Sequence, residues 1–183
     1  MPTIFTTPIL SPLLRKTSQA ILKLSGWEVV GEIPPELKHC VVIGAPHTTN
    51  WDLPTSLLLA FALNAEMQWV GKASIFRFPF GTLMRFMSGI PVDRSKSGNM
   101  VTATVEKFKS EPVLRLLMAP EGTRAQAEQW KTGFYYIAHG AQVPIAMAFV
   151  DYKKRRGGIG GVFKTTGDYV ADLGAIQAAY QMF

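Results

Sequence analysis

Apolar positions along this chain fall into runs of two kinds. Short continuous runs are Cys40-Val41-Val42-Ile43-Gly44-Ala45, Met67-Gln68-Trp69-Val70-Gly71, Val113 to Met118 and Val143 to Val150. Runs of that length predict buried strands. Trp27 to Gly31 and Gly89 to Arg94 read as two more, the second running into a polar loop. The other kind recurs at helical spacing. Leu10, Leu13, Leu14, Ile21 and Leu24, with Thr17 between, form a stripe opposed by Arg15, Lys16, Gln19 and Lys23. Ser11-Pro12 opens this helix and Gly26 ends it. Its stripe either packs on the domain or lies in a membrane interface, and both can hold for different parts.

Further helices are predicted from about Asn50–Asp52 through Leu63, where Pro54 suits only a first turn, from Ser97 to before Pro112 with Val101, Val105 and Phe108 inward, and over Phe134–Gly140. Phe76 to Phe86 reads as a short helix, a turn and a second helix. Asp151 to Gly167 reads as an exposed hairpin, and 168–183 as a last helix. Strands alternating with helices predict an α/β fold, a mostly parallel sheet flanked by helices, with an N-terminal amphipathic helix. The expected organisation is one domain over 1–183. Residues 1–26 form the amphipathic helix, 27–150 the core and 151–183 the hairpin and last helix.

Composition narrows this picture. With 183 residues, 48% of them hydrophobic and 17% charged, the chain supports one full core. No run is long enough for a transmembrane helix, and the start lacks the pattern of a secretory signal. A cytoplasmic protein, peripheral on the inner face of the cell membrane, is therefore expected. The formal charge of +6 points to anionic partners. Zinc-finger spacing and aromatic RNA-binding motifs are missing from the sequence, so an anionic membrane surface and a phosphorylated substrate fit better than nucleic acid. The single cysteine, Cys40, is expected to be a buried structural thiol. No metal site is expected.

Candidate chemistry gathers after the predicted strands, where ligands of such sheets bind. His47 and Asp52 follow the first long strand; a loop there can bring the carboxylate to one imidazole nitrogen and leave the other for a substrate proton. Lys72, Asp93 with Arg94, and Glu121 with Arg124 follow other strands, so one pocket can hold a base and up to three cations. A Gly-x-Ser-x-Gly elbow, a P-loop and a dinucleotide fingerprint are all missing from the sequence. His39 and His139 lack comparable company and read as structural.

Taken in order, His47 to Asp52, Gly89 to Arg94, Glu121-Gly122-Thr123-Arg124 and Val143-Pro144-Ile145 resemble the glycerolipid acyltransferase family, typified by 1-acylglycerol-3-phosphate (lysophosphatidic acid) acyltransferases. Lys72 after Gly71 and Trp130-Lys131-Thr132-Gly133 also look like family features, and the resemblance covers about residues 27–150. It implies direct acyl transfer from a thioester, acyl-CoA or acyl carrier protein, to a lysophospholipid hydroxyl, with no other cofactor. His47 would be the general base, oriented by Asp52. Lys72, Arg94 and Arg124 would hold the acceptor phosphate, while Glu121, Gly122 and Thr123 would shape the acceptor site. Another lyso-lipid acceptor, a thioesterase, or a non-catalytic protein binding anionic membranes are the alternatives.

Overall fold

The computed structural model describes residues 2–45, 51–92, 97–121 and 130–183, with 97–99 in backbone only. The strands are β1 (Glu28–Val30), β2 (His39–Gly44), β3 (Gln68–Lys72), β4 (Gly89–Val92), β5 (Leu114–Met118), β6 (Ile145–Asp151) and β7 (Arg156–Phe163). The helices are α1 (Leu10–Leu24), α2 (Asp52–Ala62), α3 (Gly81–Phe86), α4 (Ser97–Ser110), α5 (Gly133–Ala141) and α6 (Tyr169–Tyr180). One sheet carries the strands in the order β1-β7-β6-β2-β5-β3-β4. From β6 to β4 neighbouring strands are parallel; β7 lies antiparallel to β6, and β1 follows β7.

Alternation along the central strands divides the core. Val41 and Ile43 point to one face with Leu114, Leu116, Ile145 and Met147, where Phe108 of α4, Phe134 and Ile137 of α5 and Ile176 of α6 cover them. Cys40, Val42 and Ala146 point to the other, toward Ala60 of α2 with Ala65 and Met67. Each fully buried aliphatic side chain contributes about 1.5–3 kcal/mol, so a one-residue slip of β2 would misplace apolar groups on both faces.

The N-terminal helix forms, with a different buried face from the one its stripe suggested. Pro12 sits in the first turn. At the other end Gly26 takes φ +72°, the Gly26 N–H reaches the Lys23 carbonyl and the Trp27 N–H reaches that of Leu22 (2.8 Å), which satisfies the last turn. Ser18 and Leu22 are the buried positions, and α1 packs on α2. Ile9, Leu13, Ile21 and Leu24 are instead exposed, Leu24 by 89%. The contact with α2 selects the i, i+4 row whose small Ser18 permits close approach.

Two other expectations change. The segment 76–86 contains a single α-helix, α3, preceded by a 3-10 turn at Ala73–Phe76 that buries the Phe76 ring. The run 151–167 does form a hairpin, but its second strand does not stand free in solvent, because β7 is inserted between β6 and β1 with Gly157, Gly158 and Ile159 buried. Gly158 explains how: at φ +146° its missing Cβ would stand 2.0 Å from the Val30 carbonyl oxygen. Arg156 pairs with Glu28 across the same edge at 2.9 Å.

The last helix is locked by a buried carboxylate. Asp172 accepts hydrogen bonds from the Tyr135 hydroxyl (2.8 Å) and from the Thr166 N–H (2.7 Å) and hydroxyl (2.8 Å). Burial acts to raise its pKa, but these donors together hold it below the usual carboxylate range. Among the described residues, no helix is long and apolar enough to cross a membrane.

Gly158→Ala should lose about 1–3 kcal/mol from its backbone conformation alone, before the steric conflict with Val30 is counted. Gly174, in α6 with open space around it, should behave oppositely: Gly174→Ala should gain about 0.5–1 kcal/mol through helix propensity. Urea unfolding midpoints of the two variants measure both.

Candidate active site

Because β2, β3, β5 and β6 are mutually parallel, their carboxyl ends meet at one edge, and α2 begins there. Asp52 is the first residue of α2, with Pro54 behind it in the first turn, where the missing N–H of proline costs nothing. The Asp52 side chain is only 7% exposed. A helix N-terminus is a favourable place for a carboxylate. The Tyr152 hydroxyl, from the tip of the β6–β7 hairpin, donates to Asp52 Oδ1 at 3.0 Å and lies 3.2 Å from Thr55 Oγ1, one turn further along α2.

Beneath α2 runs an apolar cavity of about 450 Å³. Asp52 and Lys72 line its polar end, and Leu63 and Met67 line it at the far end of the helix. The helical rise from residue 52 to 63 makes that length about 16 Å. Between these ends Leu59, Ala60, Trp69 and Ile159 form its walls, and Gly44, Ala45, Ala119, Ala148 and Gly158 leave the space that larger residues would fill. A second cavity, of about 540 Å³, adjoins it through Ala45, Phe149 and Val150, and is lined by Glu121, Trp130, Tyr152, Lys153 and Tyr180. Tyr180, its hydroxyl 2.7 Å from the Ile43 carbonyl oxygen and 3.0 Å from that of Ala148, ties α6 to the end of β2 and the middle of β6.

The residues singled out by sequence are thus distributed as follows. Asp52 and Lys72 share the apolar cavity; Lys72, the last residue of β3, is exposed. Glu121, buried three residues beyond β5, faces the adjoining cavity. His47, Arg94, Gly122, Thr123 and Arg124 lie outside the described residues. Tyr152 is the contact that sequence reasoning missed. It stands 100 residues from Asp52 in a run read as an exposed hairpin, and no local signal marks it.

Other polar groups have structural settings. Burial pushes the Cys40 thiol up to about 12, so it stays protonated and unreactive at neutral pH. The imidazole of His39 bonds the Glu111 carbonyl (2.8 Å), and that of His139 bonds the Thr165 hydroxyl (3.1 Å). Among the described residues, no three His, Cys, Asp or Glu side chains come together as candidate metal ligands.

A buried carboxylate and an exposed cation at one end of a long apolar cavity suit an amphiphilic ligand whose polar group stays at the sheet edge. The molecule is therefore an α/β protein with a cavity whose polar end lies at the carboxyl edge of its strands, where ligands of such sheets generally bind. A family model described as Acyltransferase matches residues 25–149, and the chain belongs to that family. The fold is shared with the 1-acyl-sn-glycerophosphate (LPA) acyltransferase PlsC from Thermotoga maritima. The two superpose with a TM-score of 0.61 at 13% identity, covering 94% of this chain and 76% of that one. No curated protein sequence gives a significant match.

Proposed function

We propose that this acyltransferase moves a fatty acyl group from a thioester, acyl-CoA or acyl carrier protein, to the hydroxyl of a lysophospholipid in phospholipid biosynthesis, with 1-acylglycerol-3-phosphate the favoured acceptor. The observation that carries the reading is the Asp52 carboxylate at the polar end of the apolar cavity under α2, in a chain of the acyltransferase family. An acyl chain suits that cavity, and the thioester carbonyl then stands at the sheet edge. The fold shared with an enzyme named for 1-acyl-sn-glycerophosphate supports the acceptor.

In this reading His47 removes the acceptor proton as the hydroxyl oxygen attacks the thioester carbonyl. Asp52 sets the imidazole tautomer and steadies its positive charge. The tetrahedral intermediate collapses with cleavage of the C–S bond, and the imidazolium returns its proton to the departing thiolate. Lys72, Arg94 and Arg124 hold the acceptor phosphate, lysine as a point charge and the arginines bidentately. Glu121, Gly122 and Thr123 shape the acceptor side, which the adjoining cavity extends. The His47→Ala variant should lose about 10²–10⁴-fold in transfer. The assay uses radiolabelled acyl-CoA or acyl carrier protein with lysophosphatidate and other lyso-lipids. Free fatty acid in place of diacyl lipid would make the protein a thioesterase, and transfer untouched by the substitution would reject the base.

The membrane surface supplies the acceptor, and the exposed face of α1 supports peripheral binding there, on the inner face of the cell membrane. Ile9, Leu13, Ile21 and Leu24 leave apolar surface in solvent, flanked along one side of the helix by Lys16 and Lys23. Each aliphatic side chain that enters lipid gains about 1.5–3 kcal/mol, and each nearby cation about 1 kcal/mol at an anionic surface. The Leu13→Asp/Leu24→Asp variant should therefore bind phosphatidylglycerol vesicles at least about tenfold more weakly while keeping its thermal midpoint. Vesicle sedimentation unchanged by the double substitution would remove α1 from the membrane contact.

A further inference from the structure

The phenol that contacts Asp52 is held by more than its own hydrogen bond. Asp151, at the end of β6, accepts the backbone N–H groups of Lys153 (2.9 Å) and Lys154 (3.0 Å), which folds the hairpin tip around residue 152. These backbone donors are the main reason the Asp151 carboxyl lies below its usual range, and the turn is held by an ionised group. On its other side the tip is tied to the end of α1. The Arg155 guanidinium donates to the Ser25 carbonyl at 3.0 Å, the Glu28 N–H donates to the Arg155 carbonyl at 2.8 Å, and the Trp27 ring meets the Tyr152 ring edge-to-face at 5.6 Å. The ring of Tyr152 is thereby fixed from two directions before its hydroxyl reaches α2.

A carboxylate at the start of a helix can rotate about two side-chain bonds, and it offers two oxygens to donors. A donor anchored on Oδ1 selects one of those orientations and with it the direction of Oδ2. Hydrogen bonds to an ionised acceptor are the stronger kind, and side chains that orient a working residue from behind matter for rate without touching substrate. Thr55 keeps the phenol oxygen close to α2, so the contact spans a full helical turn. Hairpin tip, phenol and carboxylate form one chain of fixed contacts, and all of it lies beyond residue 149, where the family match ends, except for α1, Trp27 and α2 itself.

We propose that Tyr152 is a positioning residue for Asp52, its hydroxyl holding the carboxylate in the orientation in which it serves the acyl-transfer site. The proposal rests on the reading above that Asp52 orients the base. Through Asp52, Tyr152 contributes to turnover more than to substrate affinity.

Four full-length proteins test it: wild type, Tyr152→Phe, Asp52→Asn and the double variant. Each is assayed with palmitoyl-CoA and 1-acylglycerol-3-phosphate in mixed micelles. Phenylalanine keeps the ring against Trp27 and removes only the hydroxyl, and thermal midpoints verify folding. Tyr152→Phe should lower kcat about tenfold, the equivalent of one good hydrogen bond in the transition state, with both KM values unchanged within about twofold. In the Asp52→Asn background the same change should cost nothing further, because the two groups act as a unit. A wild-type kcat for Tyr152→Phe, a loss carried by KM, or an equal loss in both backgrounds overturns the positioning role while leaving the acyl-transfer reading standing. Full activity of Asp52→Asn overturns the reading itself and the proposal with it.

Discussion

The double pairing of β2 is the constraint from which the rest follows. This strand lies between β5 and β6, parallel to both, and its four central residues are buried on two faces. A parallel arrangement requires each connection to cross back over the sheet, so the chain must leave every central strand at the same edge. Asp52, Lys72 and Glu121 reach that edge from three different strands without being near one another in sequence. A polar cluster there is a product of strand direction more than of any local motif.

The second requirement is space. A helix laid on a sheet normally fills the interface with interdigitated side chains. Here Gly44, Ala45, Ala119, Ala148 and Gly158 withhold volume beneath α2, and a cavity remains that is walled by Leu59, Trp69 and Ile159. The glycine-rich β7 contributes to this twice: Gly158 lets β1 approach, and it also borders the cavity. Stability forgone under α2 is recovered on the opposite face, where Tyr135, Ile137, Leu114, Ile145 and Ile176 have essentially no exposed surface. One face of the sheet is packed without gaps, and the other leaves a cavity beneath α2.

Much of this was legible in the sequence because apolar runs and helix-start residues act locally. The strands β2, β3, β5 and β6 and the start of α2 follow from run length and from Pro54. The positions of Asp52 in the first turn of α2 and of Lys72 at the end of β3 followed in turn. What escaped were tertiary choices. The sequence of α1 offers two overlapping apolar rows, and only the contact with α2 selects Ser18 and Leu22 over Leu13 and Leu24. The basic run before β7 suggested solvent, yet four charged or aromatic tip residues need only a tip, and the glycines behind them enter the sheet. Tyr152 was unreadable for the same reason, since its partner lies on another element.

Acyl transfer as proposed requires above all that the acyl chain lie under α2 with its thioester beside Asp52. The direct measurement is photolabelling with a long-chain acyl-CoA carrying a diazirine at the end of its chain, followed by peptide mapping of the full-length protein. Label is expected between Leu63 and Met67, at the far end of the cavity. Label confined to the exposed rings of Phe78 and Phe80, or to α1, would contradict that placement.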